Sequence, residues 1–142
     1  MQITSRFTIA VHIITAIEYF NKSLAVTSTF LAGSVGVNPV VVRNIMGQLK
    51  DVGIISISQG KTGVALSRPL NKISFYDVYK AVECIDDSGL FHFHENPNFK
   101  CPVGQKIHVA MDDKLQKVQT AMEKELKKIM VSDVYKDLTK QG

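Results

Sequence analysis

Apolar residues recur along this chain at two different periods, and the points where the period changes mark its elements. Ala10, Ile13, Ile14 and Ile17 fall at helical spacing, in a helix that Thr4 or Ser5 can cap and that runs to about Phe20. His12 lies roughly opposite that stripe and reads as solvated. After the short loop Asn21-Lys22-Ser23 comes the stretch the rest is organised around, TSTFLAGSVGVNPVVVRNIMGQLKDVG, residues 27–53. Thr27 or Ser28 can cap a first short helix with Leu31, Ala32 and Val35 on its apolar side, and Gly36 stops it. Asn38-Pro39 opens a second helix, with asparagine as cap and proline at the first helical position. Val42, Ile45, Met46 and Leu49 form its buried face, and Val40, Arg43, Asn44, Gly47 and Gln48 lie on or beside the other. Two short helices joined in this way, the second polar and cationic on its free side, match a helix–turn–helix. An ordinary helical hairpin in a core is the competing reading.

Directly after Gly53 the period drops to two. Ile55 and Ile57 alternate with serines, and Val64 and Leu66 alternate with Ala65 and Ser67. Between them lies Gln59-Gly60-Lys61-Thr62-Gly63, a turn with a lysine at its tip. A hairpin directly after a recognition helix is the wing of a winged helix, spanning 54–67 beside helix 38–51. Gly60-Lys61-Thr62 has the letters of a phosphate-binding loop but not its context. Ile55 stands where the earlier glycine is needed, and strands flank the motif instead of a helix following it. Arg68-Pro69 closes the hairpin, and Ser74 caps a further short helix with Asp77 three residues on. Phe75, Val78, Tyr79 and Val82 are its core face.

Residues 84–102, CIDDSGLFHFHENPNFKCP, form an irregular loop of a length that is uncommon without a function. A long helix follows from Val103 to about Met130. Its apolar positions Ile107, Met111, Leu115, Val118, Met122, Leu126 and Ile129 recur at intervals of three and four. About 27 residues give roughly 40 Å of helix, more than a head of this size can cover. Pairing with the same helix of a second chain would bury the stripe, and a long helix folded back along its own domain is the competing reading. Ser132 to Leu138 is a short final helix. The fold class is thus mainly α with a small β-hairpin, in three parts. Residues 1–83 make a winged helix–turn–helix domain, 84–102 an effector or linker loop, and 103–142 a dimerisation helix with its short companion.

Charge sharpens this division. The 142 residues carry a formal net charge of +4. Residues 1–80 hold eight Lys or Arg against three acids, whereas 81–142 hold nine Lys against ten acids. A basic head with a balanced tail suits binding to a polyanion and self-assembly. No signal peptide or membrane span is evident, and two cysteines do not make a disulfide framework, so the expected setting is cytoplasmic. No nucleophile–base motif or glycine-rich cofactor loop points to an enzyme.

The order of elements resembles the Rrf-type family of small bacterial winged-helix regulators, which includes the iron–sulfur-cluster regulator, the nitric-oxide-sensing repressor and the cysteine-metabolism repressor. The likeness is carried by SRFTIAVHIITAI, by LAGSVGVNPVVVRNIMGQLKDVGII and by GVALSRPLNKISFYDVYKAVE. It implies a homodimeric transcription factor, usually a repressor, that reads a palindromic operator on double-stranded DNA. By position, the implied DNA contacts are Ser28, Thr29, Asn38, Pro39, Val41, Arg43 and Asn44, with Lys61 and Thr62 in the wing. The chemistry agrees. Arg43 can pair with guanine and Asn44 with adenine, Val41 can touch a thymine methyl, and the hydroxyls can hold the backbone.

The chain departs from the family in its loop, where cluster-binding members carry three cysteines. Here only Cys84 and Cys101 are present. Three readings stay open. Cys84, His92, His94 and Cys101 could hold zinc or a cluster. Cys101, with Cys84 as a partner, could act as a thiol switch. Or the loop is a plain connector, with no cofactor and with control by a protein or small-molecule effector. A winged helix reused for protein contacts is the alternative to DNA binding.

Overall fold

The computed structural model describes residues 4–21, 25–58, 63–83 and 96–140. Helix α1 (Ser5–Phe20) begins at Thr4, whose hydroxyl accepts from the Arg6 N–H at 3.1 Å. Ala10, Ile13, Ile14 and Ile17 are fully buried, as their spacing predicts. Thr15 and Ala16 are buried too, because other elements pack around this helix on several sides. The Thr15 hydroxyl donates to the His12 carbonyl one turn back at 2.9 Å, which satisfies it inside the core. His12 is exposed, but it is not simply solvated. Its Nε2 lies 3.0 Å from the Ser34 hydroxyl on the next helix, a partner that periodicity along one helix does not reveal.

Helix α2 (Ser28–Val35) is capped by Thr27, which accepts from the Phe30 N–H at 3.1 Å. Gly36 ends it with φ of +82°, a left-handed conformation that glycine takes without steric cost. Helix α3 (Pro39–Asp51) starts at Asn38, whose Oδ1 accepts from the Val40 N–H at 2.8 Å. It buries Val42, Ile45, Met46 and Leu49 against the head. Gly53, at φ of +78°, turns the chain straight into the hairpin.

Strands β1 (Ile55–Ile57) and β2 (Val64–Leu66) are antiparallel, with Ile55 opposite Leu66 and Ile57 opposite Val64. Ile55 and Val64 are buried, but Ile57 is 41% exposed. The strand alternation predicts Ile57 inside. The hairpin outruns the core at that end, so the residue faces a cleft instead. The Val64 N–H donates to the Val26 carbonyl at 3.1 Å, which pins β2 to the segment leading into α2.

A 3-10 turn (Leu70–Lys72) leads to helix α4 (Phe75–Val82), held by a full capping box. Asp77 N–H donates to the Ser74 hydroxyl, and Ser74 N–H donates to the Asp77 carboxylate, both at 3.0 Å. Helix α5 (Pro102–Lys128) is 27 residues long and none of them is buried. Its far end is stitched to the head. Phe75 N–H donates to the Ile129 carbonyl at 2.8 Å and Val131 N–H to the Ile73 carbonyl at 2.9 Å. The Tyr76 ring lies between the ammonium groups of Lys127 and Lys80, 4.6 and 5.4 Å away. Helix α6 (Val131–Lys140) returns to the head, packs on α1 and the 3-10 turn, and buries Val131. Among the described residues no helix is long and apolar enough to cross a membrane.

Gly63 offers a test of the hairpin's attachment. It has φ of +61°, and an added Cβ would lie 2.3 Å from the Val26 carbonyl oxygen that β2 is bonded to. Gly63→Ala is expected to cost about 1–2 kcal/mol or more from backbone strain alone. Thermal unfolding followed by circular dichroism should fall by several degrees. An unchanged midpoint would show that the segment yields freely.

Candidate nucleic-acid interface

With one face of α3 fixed in the core, the other is aimed outward. Val40 is 54% exposed, and Arg43 and Asn44 are exposed beside it. Val41 is half-buried and packs on the core, so Val40 is the valine better placed for a thymine methyl. Asn38 is exposed, but its Oδ1 is occupied as the cap, and Pro39 is half-buried. At the start of α2, Thr29 is exposed and Ser28 half-buried. Between α3 and the hairpin lies an open cleft of about 490 Å³. Thr27, Ser28, Arg43, Gly47, Lys50 and Ile57 are among its lining residues. Of the predicted wing contacts, Lys61 and Thr62 lie outside the described residues.

Gln48 faces elsewhere. Its side-chain oxygen accepts from the Arg6 guanidinium, whose Nε also donates to the Val82 carbonyl at 3.3 Å. Next to it, the Thr4 N–H and hydroxyl donate to the buried Glu83 carboxylate at 3.0 and 3.1 Å. Helix α3 is therefore tied to the start of α1 and the end of α4. The sequence reading missed Arg6 and Glu83, because partners so far apart along the chain leave no periodic signal.

Cys101 stands at the N-cap position of α5, half-buried. Its thiol makes no cap hydrogen bond of normal geometry. The N–H groups of Gly104 and, next, Val103 are nevertheless close enough to favour the thiolate and hold its pKa below the ordinary thiol value. The other proposed loop ligands, Cys84, His92 and His94, lie outside the described residues. Among the described residues no three His, Cys, Asp or Glu side chains are grouped to hold a metal ion.

A capped helix–turn–helix, a hairpin beside its second helix and an outward row of arginine and asparagine define a winged-helix DNA-binding regulator. The chain belongs to the Rrf2 family. That family's profile, described as an iron-dependent transcriptional regulator, matches residues 3–137. The inferred HTH-type transcriptional regulator YwnA of Bacillus subtilis (strain 168) is 41% identical over 136 residues, covering 96% of this chain and 98% of its own. A crystal structure of an inferred DNA-binding protein aligns with a TM-score of 0.73 at 35% identity, over 92% of this chain and 98% of that one. IscR of T. potens shares the fold at 16% identity, with a TM-score of 0.69 over 97% of this chain and 88% of its own. The protein is a DNA-binding transcriptional regulator, and its relatives are regulators rather than enzymes.

The environment of Cys101 makes a chemical prediction. A lowered pKa means more thiolate at neutral pH, so iodoacetamide should modify Cys101 faster than a free cysteine at pH 7. Peptide mapping of the alkylated protein over a range of pH measures this. A rate midpoint at or above that of a free thiol would show that the two N–H groups do not stabilise the charge.

Proposed function

We propose that the protein is a homodimeric repressor that reads a roughly palindromic operator. In this reading the N-terminal half of α3 enters the major groove and the hairpin lies beside the backbone. The observation that carries it is the division of α3. Four apolar side chains hold it in the core, while Arg43 and Asn44 stand exposed on the opposite side. Arg43 would make a bidentate contact to guanine and Asn44 to adenine, each worth about 1–3 kcal/mol of discrimination. Ser28, Thr29, Lys61 and Thr62 would hold the backbone.

Assembly through α5 is supported by its stripe. Ile107, Met111, Leu115, Met122 and Leu126 are only half-covered and Val118 is 52% exposed, along a helix with no buried residue. A second copy would cover that stripe and set two recognition helices about one DNA turn, ~34 Å, apart. Residues 84–102 are the place for an effector. Cys101 favours oxidation there as a second reading, because its thiolate is stabilised at the head of α5.

Two variants test the main reading. Arg43→Ala should bind a duplex selected from a random-sequence pool more weakly by about 5–150-fold per half-site, and it should lose preference at one base pair in each. Unchanged selectivity would remove Arg43 from base readout. Met111→Glu combined with Leu115→Glu should give a monomer in analytical ultracentrifugation with helical circular dichroism retained. A dimer that survived both charges would place the interface elsewhere. For the second reading, peroxide should alter DNA binding of the wild type and leave Cys101→Ser unaffected. Equal behaviour of the two proteins would discard it.

A further inference from the structure

Gly47 sits inside α3, where a glycine weakens a helix relative to alanine. Three other glycines have a reason in their own backbone, since Gly36, Gly53 and Gly63 take positive φ. Gly47 has no such reason. Its backbone is helical, and among the described residues, apart from its chain neighbours and the adjoining backbone of its own helix, no atom lies within 4 Å of the Cβ it lacks. The described fold therefore does not require glycine there. The open space belongs to the cleft between α3 and the hairpin. Gly33 has similarly empty surroundings, but it lies outside that cleft.

The cleft also collects unspent positive charge. Of the described cations in the basic head, Arg6 is held by Gln48 and Val82, Arg68 lies 3.6 Å from Asp77, Lys80 lies over Tyr76, and Lys72 stands exposed outside the cleft. Arg43 and Lys50 both line the cleft, are exposed, and make no ion pair among the described residues. They stand four residues before and three after Gly47, which puts all three on one side of the helix. Seven residues separate Arg43 from Lys50, about 10 Å along the axis. That rise is comparable with the depth of the major groove, about 8.5 Å. When Arg43 reaches a base edge, Lys50 stands at the rim, where the phosphates run. Asp51 also lines the cleft, so an anion there meets two cations and one carboxylate.

We propose that this cleft seats the sugar–phosphate backbone of the operator, with Gly47 as the gap that admits it and Lys50 as the ammonium that holds a phosphate. The proposal rests on the DNA-binding reading and adds two contacts to it.

The test uses full-length protein and a duplex enriched from a random-sequence pool by the wild type, titrated at several salt concentrations. Gly47→Ala should melt at or above the wild-type temperature and yet bind the duplex severalfold more weakly. Gly47→Leu should bind it at least about tenfold more weakly. Lys50→Gln should weaken binding to selected and unselected duplexes alike and reduce the salt slope by about one. The proposal is overturned if Gly47→Ala and Lys50→Gln bind like the wild type. It also falls if Gly47→Ala unfolds at lower temperature, because the space would then be filled by the chain's own hairpin turn. Failure of the wild type to enrich any duplex would instead overturn the DNA reading, and this assignment with it.

Discussion

The burial of one face of α3 is the constraint on which the rest of the molecule depends. Val42, Ile45 and Leu49 are fully buried and Met46 nearly so, in one cluster with Ile13, Ile14 and Ile17 of α1. Each such side chain contributes about 1.5–3 kcal/mol when taken from water. The bond between Gln48 and Arg6 is worth roughly 1.5–3 kcal/mol as a hydrogen bond to a charged group. The apolar face therefore decides the rotation of the helix, and the polar tether only trims it. Turning α3 by one residue, about 100°, would carry Arg43 toward the core and expose Val42. The outward row is in this sense a consequence of the inward one.

The rest of the head holds that helix at the correct place along its axis. Asn38 and Gly53 fix where it begins and where the chain leaves it. Val26 closes the unit from the other side, since its carbonyl binds β2 while its side chain is fully buried. Thr4 has a double part. It caps α1 and also holds Glu83, the last described residue before the loop. The end of α4 and the start of α1 thus meet at the point where Arg6 reaches α3.

Much of this was legible in the sequence because it is local. N-caps, left-handed glycines and four-residue periodicity act within one or two turns, so Gly36, Asn38, Ser74 and the core face of α3 could be read directly, and the caps of α1 and α2 to one of two neighbours each, which the structure resolves as Thr4 and Thr27. The parts that were not legible depend on distant partners. Spacing puts Gln48 on or beside the face away from the core, and the structure has Arg6 bonded to it. His12 looked solvated until α2 brought Ser34 within reach. Ile129 fits the apolar stripe of α5 by spacing, yet it lies past the helix end, where its carbonyl takes the Phe75 N–H. Ile57 alternates correctly but lies where the core has ended. In each case the local pattern was sound, and a tertiary neighbour assigned the residue a different task.

Charge divides along the same line as packing. The head carries eight cations against three acids in its first 80 residues, and the long helix sets four acids among its six lysines. A like-charged arm would repel a second copy over its whole length, since charges within a Debye length of about 8 Å at physiological salt still interact. The acids interleaved along α5 lessen that penalty. Acids matching the cations in the head would remove the attraction that draws a protein to DNA from a distance. The head can keep its positive field because much of it is anchored internally. Arg6 and Lys80 have uncharged partners within the fold and so keep their charge without a bound phosphate to hold them in place, whereas the charge of Arg68 is offset by Asp77. Arg43 and Lys50 remain exposed on one side of one helix, without an ion pair among the described residues, so their charge is open to an anion from solvent.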